Sequence, residues 1–156
     1  MEEPLNKPKR EKEQYKWLKA ADYYRKALTA VAESDFLKKG EIRENLAYAI
    51  YKADFQADSS LEFKERMTAA MTCYDEAKGI YGRSEDAKKA PRVSRCDATI
   101  SFADYWIVPE PSQKKKRLEE SWSLTREALD AFEDLAEYEE YGRTYHDLSR
   151  KESARS

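Results

Sequence analysis

The chain has 156 residues, which at roughly 100–200 residues per domain makes one domain. Charged residues are 38% of it, yet 29 basic against 31 acidic residues leave a net charge of −2, so the total charge implies neither a strongly acidic nor a strongly basic partner. Four glycines and five prolines are too few for the many tight turns of an all-β fold, and 11 tyrosines, 5 phenylalanines and 3 tryptophans argue against disorder.

Residues 1–10 are charged, carry Pro4 and Pro8, and read as a flexible tail before a single helical domain over 11–152. The opening sequence has no apolar signal core, and no apolar run approaches the ~18 residues of a membrane span. From Glu11, the residues Trp17, Ala20, Ala21, Tyr24, Ala27, Leu28 and Val31 recur in steps of three and four. They form one face of a helix that ends near Glu33–Ser34. A second helix starts at Asp35 or Gly40 and runs to Ala57, with Ile42, Leu46, Ala49, Ile50 and Ala53 apolar. Ser59-Ser-Leu-Glu62 is a capping box that opens a third helix, expected to stop at Tyr81 with Gly82 as its left-handed terminator. Pro91 suits the first turn of a fourth helix, which ends near Val108 after the cluster Phe102, Tyr105, Trp106 and Ile107. Pro109 to Ser112 break it, and Ser112 is expected to cap a fifth helix over about 113–135. A break near Ala136–Glu137, marked by no glycine or proline, precedes a last helix over about 138–151 with a frayed end.

The odd-numbered helices repeat. Offsets of 50 and then 51 place Trp17 on Met67 and Leu118, Ala20 on Ala70 and Ser121, and Tyr24 on Tyr74 and Thr125. Ala27 falls on Ala77 and Ala128, and Val31 on Tyr81 and Phe132. Small residues at the second and fourth of these sites let a neighbouring helix come close, and the large ones fill the gaps beside it. One helix pair cannot bury such a stripe alone, so pairs stack. Ala21-Asp-Tyr-Tyr24-Arg-Lys-Ala27-Leu28, Cys73-Tyr74-Asp-Glu-Ala77 and Thr125-Arg-Glu-Ala128-Leu129 resemble the aromatic-to-Ala-Leu stretch of tetratricopeptide repeats. The period is longer than the usual ~34 residues, and the Leu-Gly pair of the first helix is missing. The resemblance implies an all-α fold of antiparallel hairpins, about six helices stacked as a short right-handed solenoid, with a closed bundle as the other option. It also implies a non-catalytic scaffold that binds a protein or peptide segment. Three hairpins are near the minimum for such an array, so the sequence is compatible with a piece of a longer protein.

No catalytic, metal or cofactor site is expected. His146 is the sole histidine, so a histidine pair for zinc or iron cannot be built, and it reads as a solvated residue on a polar helix, like Glu139, Glu140 and Asp147 beside it. The four glycines make no phosphate loop. Cys73 and Cys96 share no C-x-x-C spacing and read as reduced, partly buried thiols of a cytoplasmic protein. The repeat aligns Lys16, Arg66 and Arg117, one position before the core stripe, next to an apolar row of Tyr23, Cys73 and Leu124. A wall made by helices one, three and five would offer Lys16, Tyr23, Arg66 and Arg117 to a peptide with an acidic and an apolar edge. The alternative partner is nucleic acid, through Lys7–Lys12 and Lys114-Lys-Lys-Arg117, where positive charge in a helix's first turn is otherwise mildly unfavourable. Self-association is expected if the last hairpin exposes a long apolar face.

Overall fold

The computed structural model describes residues 7–155. Among these there are six helices and no strand: α1 (Lys7–Ala30), α2 (Phe36–Asp54), α3 (Ser60–Gly82), α4 (Lys89–Ile107), α5 (Pro111–Asp134) and α6 (Tyr138–Arg155). The expected tail falls partly outside the described residues, and Lys7–Arg10 begin α1. Among the described residues, no helix is long and apolar enough to cross a membrane.

The helix ends follow from local chemistry, with four corrections. Asp35 caps α2 by accepting from the Lys38 amide at 3.1 Å, so Gly40 lies inside the helix. There a side chain would collide with Tyr81, because a Cβ would sit 2.5 Å from the ring. The Ser59 hydroxyl accepts from the Glu62 amide at 3.1 Å, as a capping box requires. The Glu62 carboxylate, however, reaches the Asp58 amide (2.9 Å), one residue further back than expected. Gly82 does not take a left-handed conformation; Arg83 closes α3 in the right-handed region, its amide bonded to the Ile80 and Tyr81 carbonyls. Ser112 does not cap α5. Glu110 occupies that position and Pro111 is the first helical residue, where a fixed φ and a missing N–H cost nothing. The frayed end is also corrected: Arg155 stacks 4.3 Å from the Trp122 ring centroid and pairs with Glu119 at 3.0 Å, so α6 stays helical to its last described turn.

The expected break before α6 is present. Ala136 takes φ 57°, its amide bonds to Glu133, and the Glu137 amide reaches back to Phe132, both at 3.0 Å. That is a Schellman closure with alanine where glycine is usual.

Each helix packs on the next along the chain, and α2 also touches α4. The repeat register is what is buried. Met67, Ala70, Tyr74, Ala77 and Tyr81 of α3 and Leu118, Ser121, Thr125, Ala128 and Phe132 of α5 are all inside. Among the residues of α1 whose burial is described, only Ala21 is fully buried, while Trp17, Ala20, Tyr24 and Leu28 are half-buried against the same core. A terminal helix has a neighbour on one side only. Cys73 and Cys96 are both free and buried in this core.

Candidate functional site

The even-numbered helices carry the unusual chemistry. On α2, Glu44 is 2% exposed, and on α4 Arg95 is 1% exposed. Their contact is bidentate: Arg95 Nε and Nη2 each donate to a Glu44 oxygen at 2.8 Å. Tyr81 Oη donates to the same carboxylate at 2.7 Å. Arg95 Nη1 reaches Glu140 and Thr144 of α6, Arg143 lies 3.8 Å from Glu44, and Arg92 lies between Glu41 and Glu140 at 3.6 and 3.9 Å. Arg92, Arg95 and Arg143 thus face Glu41, Glu44 and Glu140, a balanced set. Burial opposes the Glu44 charge, but Arg95, Arg143 and the two hydrogen-bond donors hold its carboxyl down at about 2. The same carboxylate overcomes the burial of Arg95 and raises it well above its ordinary value.

This cluster closes one end of a cavity of about 440 Å³. The α2 wall is Glu44, Tyr48 and Tyr51, spaced four and three apart and so on one helix face, with Asn45 beside them. From α3 and α4 come Tyr74, Thr99 and Phe102. The α6 wall is Arg143, His146, Asp147, Arg150 and Lys151, again at steps of three and four. A partly open cleft of this size with aromatic walls and a few convergent polar groups is the ordinary form of a binding site.

Lys151 differs from the closed cluster. It is 3% exposed. Its Nζ donates to Thr125 Oγ1 at 2.7 Å and lies 5.4 Å from the Phe102 ring centroid. Burial pulls this ammonium down to about 8. Tyr51 Oη is buried without a hydrogen-bond partner, and burial pushes that hydroxyl up to about 12 despite the nearby charge of Arg150.

The residues expected as a binding wall are placed elsewhere. Lys16 is exposed and pairs with Glu13 at 3.4 Å. Tyr23 is 72% exposed. Arg66 pairs with Glu62 at 2.8 Å, and Arg117 with Asp104 and Glu120 at 2.7 and 3.1 Å. Each basic group is answered by an acid of its own or the adjacent helix, and none lines the cavity. In the neighbouring row, Cys73 is buried while Tyr23 is exposed. The basic run at the start of α5 serves α4: Lys114 Nζ donates to the Tyr105 carbonyl at 2.8 Å, at the end of α4 where a cation is favoured, and Arg117 holds Asp104. Glu140 is not solvated as expected but bound to Arg95, and Asp147 lines the cavity with His146.

A signal for this site was present. The offset of 51 that aligns α3 with α5 also carries Glu41 to Arg92 and Glu44 to Arg95. Their contacts therefore join equivalent positions of α2 and α4. The same offset carries Arg95 to His146, and Tyr48 to Thr99 and then Arg150. Tyr48, Thr99 and Arg150, which line the cavity together with Tyr74 of α3, thus occupy one repeated register of the three even helices.

No family model, curated protein or solved structure matches the chain. The site is therefore read from its own geometry.

Proposed function

We propose that this chain is a non-catalytic protein–protein interaction module: antiparallel hairpins stacked as a short, right-handed, tetratricopeptide-like array, which receives a segment of a partner protein on the face of α2, α4 and α6. The observation that carries this is the cavity between those three helices, to which Tyr48, Thr99 and Arg150 contribute from equivalent positions and Tyr74 from α3. Glu44 and Tyr51 both line it, as do Arg143 and Lys151. At ~1.5 Å per residue each wall is roughly 11–12 Å long, the span of three or four extended residues at ~3.3 Å each. Its aromatic walls suit apolar side chains of such a segment. Two buried free thiols fit a reducing compartment, and we place the module in the cytoplasm.

The test is a peptide library displayed against the full chain, with Thr99→Trp as the challenge. Thr99 lines the cavity and is only half-buried, so the larger ring fills the space without entering the core. Selected peptides are expected to lose at least tenfold in affinity, with the melting temperature unchanged. Peptides that bind Thr99→Trp as well as the parent, and lose affinity instead on Arg66→Glu or Arg117→Glu, would return the site to the wall of α1, α3 and α5.

A further inference from the structure

What the partner segment carries can be read from the charges left over in the cavity; this rests on the segment-binding reading above. Arg92, Arg95 and Arg143 are matched by Glu41, Glu44 and Glu140. Outside that set the cavity holds Arg150 and Lys151 against Asp147 alone, one uncompensated positive charge. Lys151 makes no ion pair among the described residues, and its only donated hydrogen bond goes to a neutral hydroxyl. Asp147 acts on it only from beyond ion-pair distance, and an ammonium buried without a paired anion is costly, several kcal/mol in order of magnitude. Tyr51 Oη, equally buried, is a second donor with no acceptor. Arg150 stands beside it. Lys151 is thus buried without an ion pair among the described residues and Tyr51 Oη without an acceptor, and with Arg150 beside them they line one aromatic-walled cavity.

We infer that the cavity takes a single acidic side chain, Glu or Asp, from an extended internal segment of the partner, its carboxylate received by Lys151, Tyr51 and Arg150 and a neighbouring large apolar side chain by Tyr48, Tyr74 and Phe102. One surplus positive charge matches a monoanion; a phosphate dianion would leave a buried negative charge unanswered. The carboxylate accepts from Lys151 and Tyr51, and charge-assisted bonds of this kind are about twice as strong as neutral ones.

Two tripeptides test it against the full chain by calorimetry: acetyl-Phe-Glu-Leu-amide and its neutral isostere acetyl-Phe-Gln-Leu-amide. The Glu peptide is expected to bind at least tenfold more tightly. Lys151→Met should abolish that preference while the melting temperature holds or rises, since an unpaired buried charge has been replaced by an apolar chain of similar length. A purely structural lysine would give a lower melting temperature and an unchanged preference. If Lys151→Met does not fold, Arg150→Gln replaces it and should cut the preference at least threefold; an unchanged preference overturns the inference. Equal binding of the two peptides overturns it too and leaves the segment-binding reading standing. Tighter binding of acetyl-Phe-Gln-Leu with a free carboxyl end than of the Glu amide overturns it in favour of chain-end recognition. Binding of neither peptide overturns it as well, and the Thr99→Trp result then decides separately whether the cavity receives a segment at all.

Discussion

The two ends of the cavity solve the same problem in opposite ways. At one end Glu44 is buried and fully answered, by two nitrogens of Arg95 and by the Tyr81 hydroxyl. At the other, Lys151 is just as buried; it donates to the Thr125 hydroxyl and lies over the face of Phe102, with Asp147 acting on it from a distance and no ion pair among the described residues. Both positions belong to the inner register of the even helices. The closed end locks α2, α4 and α6 to one another, which is an architectural task. The open end keeps a charge that the fold does not use, and an unused buried charge is where a ligand gains most. Within this cavity, ion-paired buried charge therefore reads as structure, and buried charge without an ion pair as site.

Four predictions break or sharpen that contrast. The largest effect belongs to Arg95→Ala, which leaves Glu44 and Glu140 buried without their partner. It should cost about 3–5 kcal/mol in urea denaturation; a loss below 1 kcal/mol would mean that the closed end is not structural. Gly40→Ala acts on the same end indirectly. Its Cβ would meet the Tyr81 ring at 2.5 Å and displace the hydroxyl from Glu44, so about 1–3 kcal/mol should be lost to overpacking.

The open end should show itself in alkaline solution. The folded chain releases the Lys151 proton near pH 8 and the unfolded chain near its ordinary 10.5. Between those values the unfolded state binds more protons, so this group's contribution to stability rises with pH. The stability difference between the parent and Lys151→Met should change by about 2 kcal/mol between pH 8 and pH 9.5. A pH-independent difference would mean that Lys151 is not buried as a charge. Glu44 has the same sign of slope, in an acid window. Its carboxyl is held below the ordinary value, so its contribution is complete above about pH 4.5 and fades as pH falls towards 2. The smallest effect concerns the turn that sets α6 against the cavity. Ala136 takes a left-handed φ of 57°, so Ala136→Gly should stabilise the fold by about 0.5–1 kcal/mol with peptide binding unchanged.

The fold was largely legible in the sequence because its periodic signal is apolar. The stripe of Met67, Ala70, Tyr74, Ala77 and Tyr81 recurs at helical steps and is buried as that spacing requires. Helix ends were legible where a side chain makes them, as at Ser59, and misread where two chemistries compete, as at Pro111 and Ser112. The site was far less legible. Charges at Glu44, Arg95 and Lys151 look solvated to any reading that takes polarity for exposure, and only pairing across helices reveals the first two as buried. The offset of 51 linking Glu41 to Arg92 and Glu44 to Arg95 was the available clue, and it lay in even helices whose apolar repeat is weak. Lys151 left no such clue, because its neighbours Thr125 and Phe102 come from other helices and are not charged.

The most direct test of the account is a map of amide chemical-shift changes on the isotope-labelled full chain as a display-selected peptide is added. The large changes are expected on Tyr48, Thr99, Phe102, Arg150 and Lys151. Changes confined to Lys16, Tyr23, Arg66 and Arg117, with the cavity residues unmoved, would contradict it.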